Sequence, residues 1–270
     1  MVANAIAAAV GRDLAEMRRR RPLVHNITNY VVMNSTANAL LSVGALPVMA
    51  HAAEEVADMV AIADSLVLNI GTLSQPWLDS MALAGAAAGE RGVPVVLDPV
   101  GAGATALRSA AARSLLATFP VAVVRGNASE IRALHATESG TRGVEASHAS
   151  AEALQAARAL SVRHQCVVVV SGAEDLVVEG ERLIRIRNGH PLMPLVTGLG
   201  CTASALTGAF LAVNPDALRA AAHAMVVLGV AGELAAERAA GPGSLQMHLI
   251  DVLHTIAEQD VDARLRWEEG

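Results

Sequence analysis

Short apolar runs alternate with longer alanine-rich segments between positions 30 and 170 of the chain. The short runs are bounded by glycine, proline, asparagine or aspartate, and the longer segments have helical periodicity. The predicted strands are 46–50, 65–70, 94–98, 121–125 and 166–170. The predicted helices lie near 30–43, 53–63, 76–90, 105–118 and 150–163. Continuous apolar strands separated by helices predict an α/β fold with three αβα layers around a mostly parallel central sheet.

The pattern changes in the stretch DLVVEGERLIRIRNG, which begins at Asp175. It predicts two strands joined at Glu179–Arg182, and therefore an antiparallel hairpin at the edge of the sheet. Helical patterns follow at 201–213, 216–239 and 243–259, and the polar tail from Asp260 is expected to fray. Without a repeat or an obvious lid insertion, residues 1–270 are expected to form a single domain that has no separate lid.

The composition narrows the function classes. The chain has 270 residues, 53% hydrophobic and 17% charged, which suffices for a large core. A net charge of −6 and an aromatic content of 2% disfavour nucleic acid and anionic membrane as partners. The longest apolar stretch, 220–232, is too short to span a bilayer, and the first residues do not resemble a signal peptide. We therefore expect a cytoplasmic protein.

The basic residues are also informative, because all 20 are arginines and none is a lysine. This excludes a P-loop lysine and a Schiff-base lysine, so any phosphate chemistry must use arginine, backbone amides and a metal. Two cysteines, Cys166 and Cys201, are too few for a disulfide framework or a structural zinc site. Cys166 begins a buried strand and is expected to be inert.

Polar and glycine residues follow the predicted strands, at the edge where ligands bind in open α/β sheets. They occur at 69–72, 98–105, 125–130, 171–172 and 197–201. Asp98 suits a hard metal ion or a helix cap, and Arg125 suits phosphate or an ion pair with Asp98 or Glu130. Glu130 lies three residues after Asn127, which also matches a helix-capping pair.

The stretch VTGLGCTASAL places Gly198, Gly200 and Cys201 where a helix is predicted to begin. Bare amides at such a turn form an anion site, although an ordinary loop-to-helix turn has the same pattern. Cys201 could also be the nucleophile of a hydrolase or transferase, but that chemistry needs a histidine, and none lies close after it. One arginine, two carboxylates and amide nests together favour phosphoryl transfer.

Several of these stretches, taken in order, resemble the hydroxyethylthiazole kinase family of ribokinase-like enzymes. The resemblance runs from about Pro22 to about Ala212 and rests on VHNITNYVVMNSTANALLSVGALPVMAHAAEEV, LNIGTL, LDPVGAGAT, VVRGNASEI and TGLGCTASAL. It implies transfer of the γ-phosphate of ATP to the primary alcohol of 4-methyl-5-(2-hydroxyethyl)thiazole, in thiamine salvage. It also implies Mg²⁺ as cofactor and a homotrimer with sites between subunits.

The resemblance further implies roles for individual residues. Asp98 and Glu130 match acidic magnesium positions, with Asn127 in the same Asn-x-x-Glu motif. Arg125 and Ser171 match residues that contact ATP, whereas Asn26, Met49 and Gly198 match the thiazole side. Gly198 matches the glycine at the substrate end of the anion hole, and Gly200 and Cys201 are expected to contribute to that hole through the backbone amides of 198–201.

At Cys201 the sequence differs from the wider ribokinase-like superfamily that it resembles. The sugar kinases of that superfamily have an aspartate base at this position. A helix N-terminus and a nearby cation can lower the pKa of a thiol, so Cys201 is interpreted as a modest base or a polar wall. Two rival functions share the nucleotide crevice. One is a nucleotide-dependent dehydratase acting on a hydrated nicotinamide nucleotide, and the other is a non-catalytic binder of nucleotides or vitamin precursors.

Overall fold

The computed structural model describes residues 2–139 and 149–270 of the chain. Its strands are β1 (Leu23–Ile27), β2 (Leu46–Val48), β3 (Ser65–Asn69), β4 (Val95–Asp98), β5 (Val123–Asn127), β6 (Val167–Ser171), β7 (Asp175–Glu179), β8 (Arg182–Ile186) and β9 (Trp267–Glu269). Its helices are α1 (Val2–Arg20), α2 (Met33–Val43), α3 (Val56–Ile62), α4 (Gln75–Arg91), α5 (Ala106–Thr118), α6 (Ala128–Ser139), α7 (Ala149–His164), α8 (Leu199–Leu211), α9 (Ala217–Ala236), α10 (Pro242–Thr255) and α11 (Glu258–Arg264).

All the described strands belong to one sheet, in the order β2-β1-β3-β4-β5-β6-β7-β8-β9. Neighbours from β2 to β6 pair in parallel, and those from β6 to β9 pair antiparallel. The predicted hairpin is present as β7 and β8, with Glu179 opposite Arg182 at its turn. The predicted three-layer αβα architecture with a mostly parallel sheet is therefore confirmed.

Two hydrophobic clusters fill the space on the two faces of the sheet. Along β3, Val67 belongs to one cluster and its neighbours Leu66 and Leu68 belong to the other. The side chains of a strand alternate between faces, so a strand covered on both sides must be apolar at every position. This is why the parallel strands appear in the sequence as unbroken runs of valine and leucine.

Helix α8 lies directly on the sheet and begins above the carboxyl ends of its strands. A Cβ at Gly208 would lie 2.8 Å from Val67 Cγ2, so only glycine lets the helix approach β3 this closely. Near its start, Ser204 of α8 donates a hydrogen bond to Asp98, the last residue of β4. The predicted glycine-rich helix start is thus placed at the sheet edge that carries the polar residues.

The C-terminal segment is ordered, and the prediction that it frays from Asp260 is wrong. Val261 in α11 is buried, and Trp267 in β9 pairs with Ile186 of β8, so β9 forms the outer strand beyond the hairpin. Arg219 also donates two hydrogen bonds to the Glu269 carboxylate (2.8 and 2.9 Å). The C-terminal segment packs through a few apolar residues that lie among many charged ones. Because these apolar residues are so few, the sequence shows no strand pattern for β9.

Helix α9 is longer than the apolar stretch seen in the sequence. Its 20 residues are long and apolar enough to cross a membrane, but 78% of its most apolar window is buried inside the structure. The described part of the chain has one such helix, and a buried core helix of a globular domain passes the same test of length and composition.

Candidate active site

A cleft of about 900 Å³ opens at the carboxyl ends of β5 and β6, beside the start of α8. Arg125, Ser171 and Gly200 form its polar end, whereas Met225 and Leu228 of α9 line an apolar wall. A volume of this size is typical of pockets that hold cofactor-sized ligands, and a mainly apolar lining with a few convergent polar groups is typical as well. Of the strand-end residues expected to share one crevice, Arg125, 171–172 and 197–200 line this cleft, whereas 69–72, 98–105, Asn127, Glu130 and Cys201 are not among its lining residues. Its polar end coincides with the glycine-rich helix start.

Arg125 lies at this polar end as a nearly buried cation, with only 9% of its surface exposed. Its Nη2 donates a hydrogen bond to Ser171 Oγ (2.7 Å), and its Nη1 lies against Gly200. Its Nε is buried and has no partner among the described residues. Within 2–139 and 149–270 no carboxylate forms an ion pair with Arg125, so the alternative of a salt bridge to Asp98 or Glu130 is not realised.

Glu130 and Asn127 form the capping pair that the spacing suggested. The Asn127 amide donates to Glu130 Oε2 (2.8 Å), and the Glu130 amide donates to Asn127 Oδ1 (3.0 Å). The other carboxylate oxygen of Glu130 accepts a hydrogen bond from the Gly101 amide (2.8 Å), in the loop after β4. Glu130 thus caps α6 and also ties this helix to the loop that follows Asp98.

Asp98 is 1% exposed and does not cap a helix, since Thr105 caps α5. Its Oδ2 accepts hydrogen bonds from Asn69 Nδ2 and from Ser204 Oγ, both at 2.7 Å. Burial raises the pKa of Asp98 to about 6, and the positive charge of Arg125 opposes that rise. The carboxyl group is therefore held in one orientation, in an environment where a nearby cation stabilises its charge.

Cys201 lies in the first turn of α8, and its thiol faces amide side chains. Asn29 Nδ2 donates to Cys201 Sγ (3.3 Å) and to Asn69 Oδ1 (2.9 Å). Burial, followed by the nearby Asp98, raises the pKa of Cys201 to about 11, which is opposite to the lowering considered from the sequence. Hydrogen bonds from Asn69 and Asn29 and the Arg125 cation act in the opposite direction but do not cancel the rise, so the protonated thiol is favoured at neutral pH.

The glycines before Cys201 give α8 its unusual beginning. Gly198 is the N-cap residue with φ +85°, a left-handed conformation that other residues adopt only with strain. The amides of Leu199, Gly200 and Cys201 precede the first complete turn and have no acceptor within the helix. Leu199 and Gly200 line the same cleft as Arg125, and the positive end of the helix dipole lies at this point, which makes the region suited to an anion.

The structure does not bring Asn26 and Met49 into this cleft. Asn26 is fully buried in β1, its Nδ2 donates to the Val24 carbonyl (2.9 Å), and its Oδ1 has no partner among the described residues. Met49 follows β2 near the edge of the sheet and is partly exposed, beside an aromatic group in which His51 contacts Trp77. The residue of the VHNITNY stretch that reaches Cys201 is Asn29.

Sequence reasoning missed the side chains that surround Asp98 and Cys201. Asn69 was recognised only as a polar residue at a strand end, and Ser204 only as part of a helix. Asn29 was not singled out at all. The position of Asn69 directly after a buried apolar strand was a usable signal, because it shares the sheet edge with Asp98 in the register of β3 and β4.

The cleft also contains a partly buried carboxyl group that the sequence did not indicate. Asp175 begins β7, and its Oδ1 accepts a hydrogen bond from the Gly172 amide (3.0 Å). Burial raises the pKa of Asp175 to about 6, and the Gly172 amide and Arg125 oppose this rise. The remaining wall is the 187–197 segment, which carries no helix or strand pattern of its own apart from one short 3₁₀ turn.

A parallel sheet with a cleft at its carboxyl edge, an arginine cation and a glycine-rich helix start defines a ribokinase-like kinase. The fold is shared with solved structures of low sequence identity. One is an ADP complex of Bacillus subtilis pyridoxal kinase, with a TM-score of 0.59 and 18% identity over 78% of this chain and 91% of that chain. Another is a ribokinase-like superfamily protein from Enterococcus faecalis V583, with a TM-score of 0.63 and 14% identity over 87% of each chain.

The chain belongs to the hydroxyethylthiazole kinase family, whose pattern matches residues 14–259. It is 56% identical to a hydroxyethylthiazole kinase of Nitratidesulfovibrio vulgaris (strain DSM 19637 / Miyazaki F), over 95% of this chain and 96% of that protein. It is also 56% identical to one of Syntrophus aciditrophicus, over 94% of each. The solved hydroxyethylthiazole kinase structure from Pyrococcus horikoshii OT3 has a TM-score of 0.91 and 44% identity, over 97% and 99% of the two chains. The protein is therefore a kinase.

Proposed function

We propose that this kinase transfers the γ-phosphate of ATP to the primary alcohol of 4-methyl-5-(2-hydroxyethyl)thiazole, in thiamine salvage. The observation that carries the proposal is the nearly buried Arg125, which has no carboxylate partner among the described residues and lies against Gly200 at the start of α8. Arg125 interacts electrostatically with Asp98 and Asp175 but forms no ion pair with either, and a desolvated cation of this kind is stabilised when an anion joins it. The phosphates of a nucleotide in the cleft supply that anion, and the names of the relatives supply the acceptor.

The start of α8 acts as the anion hole of this reaction. The amides of Leu199, Gly200 and Cys201 stabilise the charge on the transferred phosphoryl group, and Arg125 and Ser171 bind the phosphates of ATP. Asn127 contributes by fixing Glu130 beside them. Phosphoryl transfer depends mainly on such positioning and on electrostatic stabilisation, since the protein has little covalent chemistry to perform.

Asp98 and Glu130 fit a magnesium ion. Mg²⁺ is bound through one or two carboxylates, several waters and substrate phosphates, so it needs no larger cluster of ligands. No group of three or more His, Cys, Asp or Glu side chains in the described residues is arranged for a metal. Asp98 would bind the ion directly, whereas Glu130, whose oxygens both accept amide hydrogens, would hold its water shell. Bound there, Mg²⁺ neutralises charge on the phosphates.

Cys201 forms a neutral wall of the acceptor site in this proposal. A thiol with a pKa of about 11 is a poor proton acceptor at pH 7, and in a loose transition state the alcohol need not lose its proton early. The same protonated thiol argues against the alternative of a cysteine hydrolase. Among the described residues its side-chain partners are amides and no histidine bonds to it.

The remaining parts of the proposal rest on the family. Asn26, Met49 and Gly198 are predicted to serve the thiazole side, with Met49 and the aromatic group near it at the edge of the sheet. An assembly that places sites between subunits, a homotrimer, would bring a partner's surface to such an edge. A cytoplasmic location and one working domain without a separate lid also stay predictions, together with the lack of nucleic-acid and membrane partners.

The deciding experiment incubates the purified protein with ATP, MgCl₂ and hydroxyethylthiazole, and follows the phosphorylated thiazole by mass spectrometry and ADP by a coupled assay. We expect stoichiometric ADP and thiazole phosphate, and no ADP when the thiazole is omitted. Pyridoxal and hydroxymethylpyrimidine serve as competing primary alcohols. Absence of thiazole phosphate from a folded protein that binds ATP would refute the proposal.

The same assay separates the rival functions. A dehydratase would consume nucleotide only with a hydrated nicotinamide nucleotide, and a non-catalytic binder would bind ATP without consuming it. Arg125→Gln is the matched control, because it keeps a polar side chain near Ser171 but removes the cation. It should bind ATP weakly and leave the fold intact.

A further inference from the structure

Arg108 is an arginine outside the cleft whose guanidinium joins two loops at the carboxyl edge of the sheet. Its Nη1 donates hydrogen bonds to the carbonyls of Ile70 (2.9 Å) and Val100 (2.8 Å), and its Nη2 donates to that of Gly71 (2.7 Å). Ile70 and Gly71 follow β3, whereas Val100 follows β4. A single cation therefore satisfies three carbonyls from two loops, which are also joined at this edge by the hydrogen bond from the Ile70 amide to the Asp98 carbonyl (3.3 Å).

The two loops carry the groups that hold the acidic residues of the site. The Gly71 amide donates to Asn69 Oδ1 (2.9 Å), and Asn69 Nδ2 donates to the Asp98 carboxylate (2.7 Å). In the other loop, the Gly101 amide donates to Glu130 Oε1 (2.8 Å). Two short chains of hydrogen bonds thus begin at these loops and end on Asp98 and Glu130.

The stem of Arg108 contributes to the same arrangement. Gly101 has φ +73°, and a Cβ there would lie 3.0 Å from Arg108 Cδ, so the side chain lies over the backbone of this turn. Arg108 lies in the first turn of α5, where the Thr105 side chain accepts a hydrogen bond from its backbone amide (3.2 Å), while the guanidinium itself is held by the three carbonyls. A planar guanidinium with five donors can serve several carbonyls at once in a fixed geometry.

We propose that Arg108 is a positioning residue, which clamps the loops after β3 and β4 and thereby sets the separation of Asp98 and Glu130. The inference rests on the proposed kinase function, since it assigns Arg108 to that reaction. Removal of the guanidinium leaves three carbonyls without their donor and frees the two loops to move apart. Residues that orient ligand-bearing side chains in this way typically change activity about 10–100-fold when they are replaced.

The test uses Arg108→Met, which keeps an unbranched stem over Gly101, and Arg108→Lys, whose ammonium can still donate to carbonyls of both loops. We expect kcat of the methionine variant to fall at least about tenfold, with a smaller change in the KM for hydroxyethylthiazole, because Arg108 reaches the Cys201 wall only indirectly, through Asn69 and Asn29. The lysine variant should recover most of that loss. Hydrogen exchange of the metal-free proteins should be faster in peptides covering 69–73 and 98–104 of the methionine variant only.

Two controls separate positioning from general stability. Thr105→Ala removes the cap of the same helix but leaves the guanidinium in place, and Leu107→Ala changes the exposed neighbour of Arg108. Both should keep wild-type kcat and wild-type exchange in the two loops. If Thr105→Ala lowers kcat as much as Arg108→Met does, or if Arg108→Met leaves kcat and exchange unchanged, the proposal is overturned.

The proposed role of Arg108 can be tested even if the methionine variant does not fold. Should Arg108→Met not fold, Arg108→Gln replaces it, since its shorter amide reaches one loop at most, and wild-type kcat in that folded variant refutes the clamp. The exchange measurement needs no substrate, so it also distinguishes failure of this inference from failure of the proposed reaction. A wild-type protein without thiazole kinase activity but with Arg108-dependent loop protection would refute only the reaction.

Discussion

Substitution of Gly200 by alanine tests directly whether the contact between Arg125 and the start of α8 forms the phosphate site. A Cβ at Gly200 would lie 2.9 Å from Arg125 Nη1, 3.6 Å from its Nη2 and 3.7 Å from its Cζ. The guanidinium must therefore move by a few tenths of an ångström, away from the helix amides. The far end of a flexible side chain can make this move, so we expect the fold to tolerate the methyl group.

Gly200→Ala should affect stability and activity in opposite directions. Alanine in a helix is favoured over glycine by up to about 1 kcal/mol, so the free energy of unfolding should stay the same or rise. Displacement of the guanidinium weakens a hydrogen bond between charged groups, worth about 1.5–3 kcal/mol. A loss of that size corresponds to a fall of about 10–100-fold in kcat/KM for ATP.

The assay measures initial rates against ATP at saturating thiazole, together with thermal unfolding followed by circular dichroism. Gly198→Ala is the matched control, because Gly198 has φ +85° and its Cβ would clash with Val32. That variant should lose about 1–2 kcal/mol or more of stability, as a left-handed alanine does, whereas Gly200→Ala should lose activity without stability.

The double variant decides whether Arg125 carries the effect. If Arg125 is the group displaced, Gly200→Ala combined with Arg125→Ala should have the same kcat/KM for ATP as Arg125→Ala alone, since residues in contact are not additive. Wild-type kcat/KM in a folded Gly200→Ala variant would refute the reasoning, and so would fully additive losses in the double variant.

Three further outcomes follow from the site. Arg125→Ala should raise the KM for ATP without lowering the melting temperature, and unchanged ATP affinity in a binding assay would remove Arg125 from the site. Glu130→Gln should lose about 1–3 kcal/mol in thermal unfolding, because its amide would face a backbone N–H, and should need more magnesium for half-maximal rate; normal turnover would leave Glu130 with the capping role alone. Iodoacetamide at pH 7 should modify Cys201 about 100-fold more slowly than an ordinary cysteine, with a rate that rises towards pH 11, and Cys201→Ala should keep measurable turnover; rapid modification at pH 7 would contradict the raised pKa.

The parallel core of the fold could be predicted from the sequence because its strands are apolar at every position. The first strand could not, since β1 contains His25 and Asn26, both fully buried. His25 Nε2 lies 2.8 Å from the Ala50 carbonyl oxygen and Asn26 Nδ2 donates to the Val24 carbonyl, whereas His25 Nδ1 and Asn26 Oδ1 have no partner among the described residues. A strand with polar side chains at two buried positions has no continuous apolar pattern to reveal it.

The candidate site was predictable to the extent that its residues lie at strand ends. Asp98, Arg125 and Ser171 lie at one edge of the sheet because parallel strands end there together. Their positions at the ends of predicted strands were enough to predict that they share this edge. The contact of Asn29 with Cys201 spans 172 positions and depends on how α8 lies on the sheet, which local patterns do not contain. The structure therefore adds what the sequence does not contain, namely which side chains of distant helices and strands contact each other.

The direction of the Cys201 pKa shows why local reasoning failed there. A helix start and the Arg125 cation each favour a thiolate, but burial disfavours any charge, and the neighbouring Asp98 disfavours a negative one. A protonated thiol adds no negative charge beside the proposed anion hole, so it would not compete with nucleotide phosphates for Arg125. A carboxylate base at the same position would lie near Asp98 and raise the repulsion felt by the incoming phosphoryl group. The thiol therefore fits a kinase that relies on Arg125 and backbone amides to position its substrates, and that leaves the proton of the alcohol to the late stages of transfer.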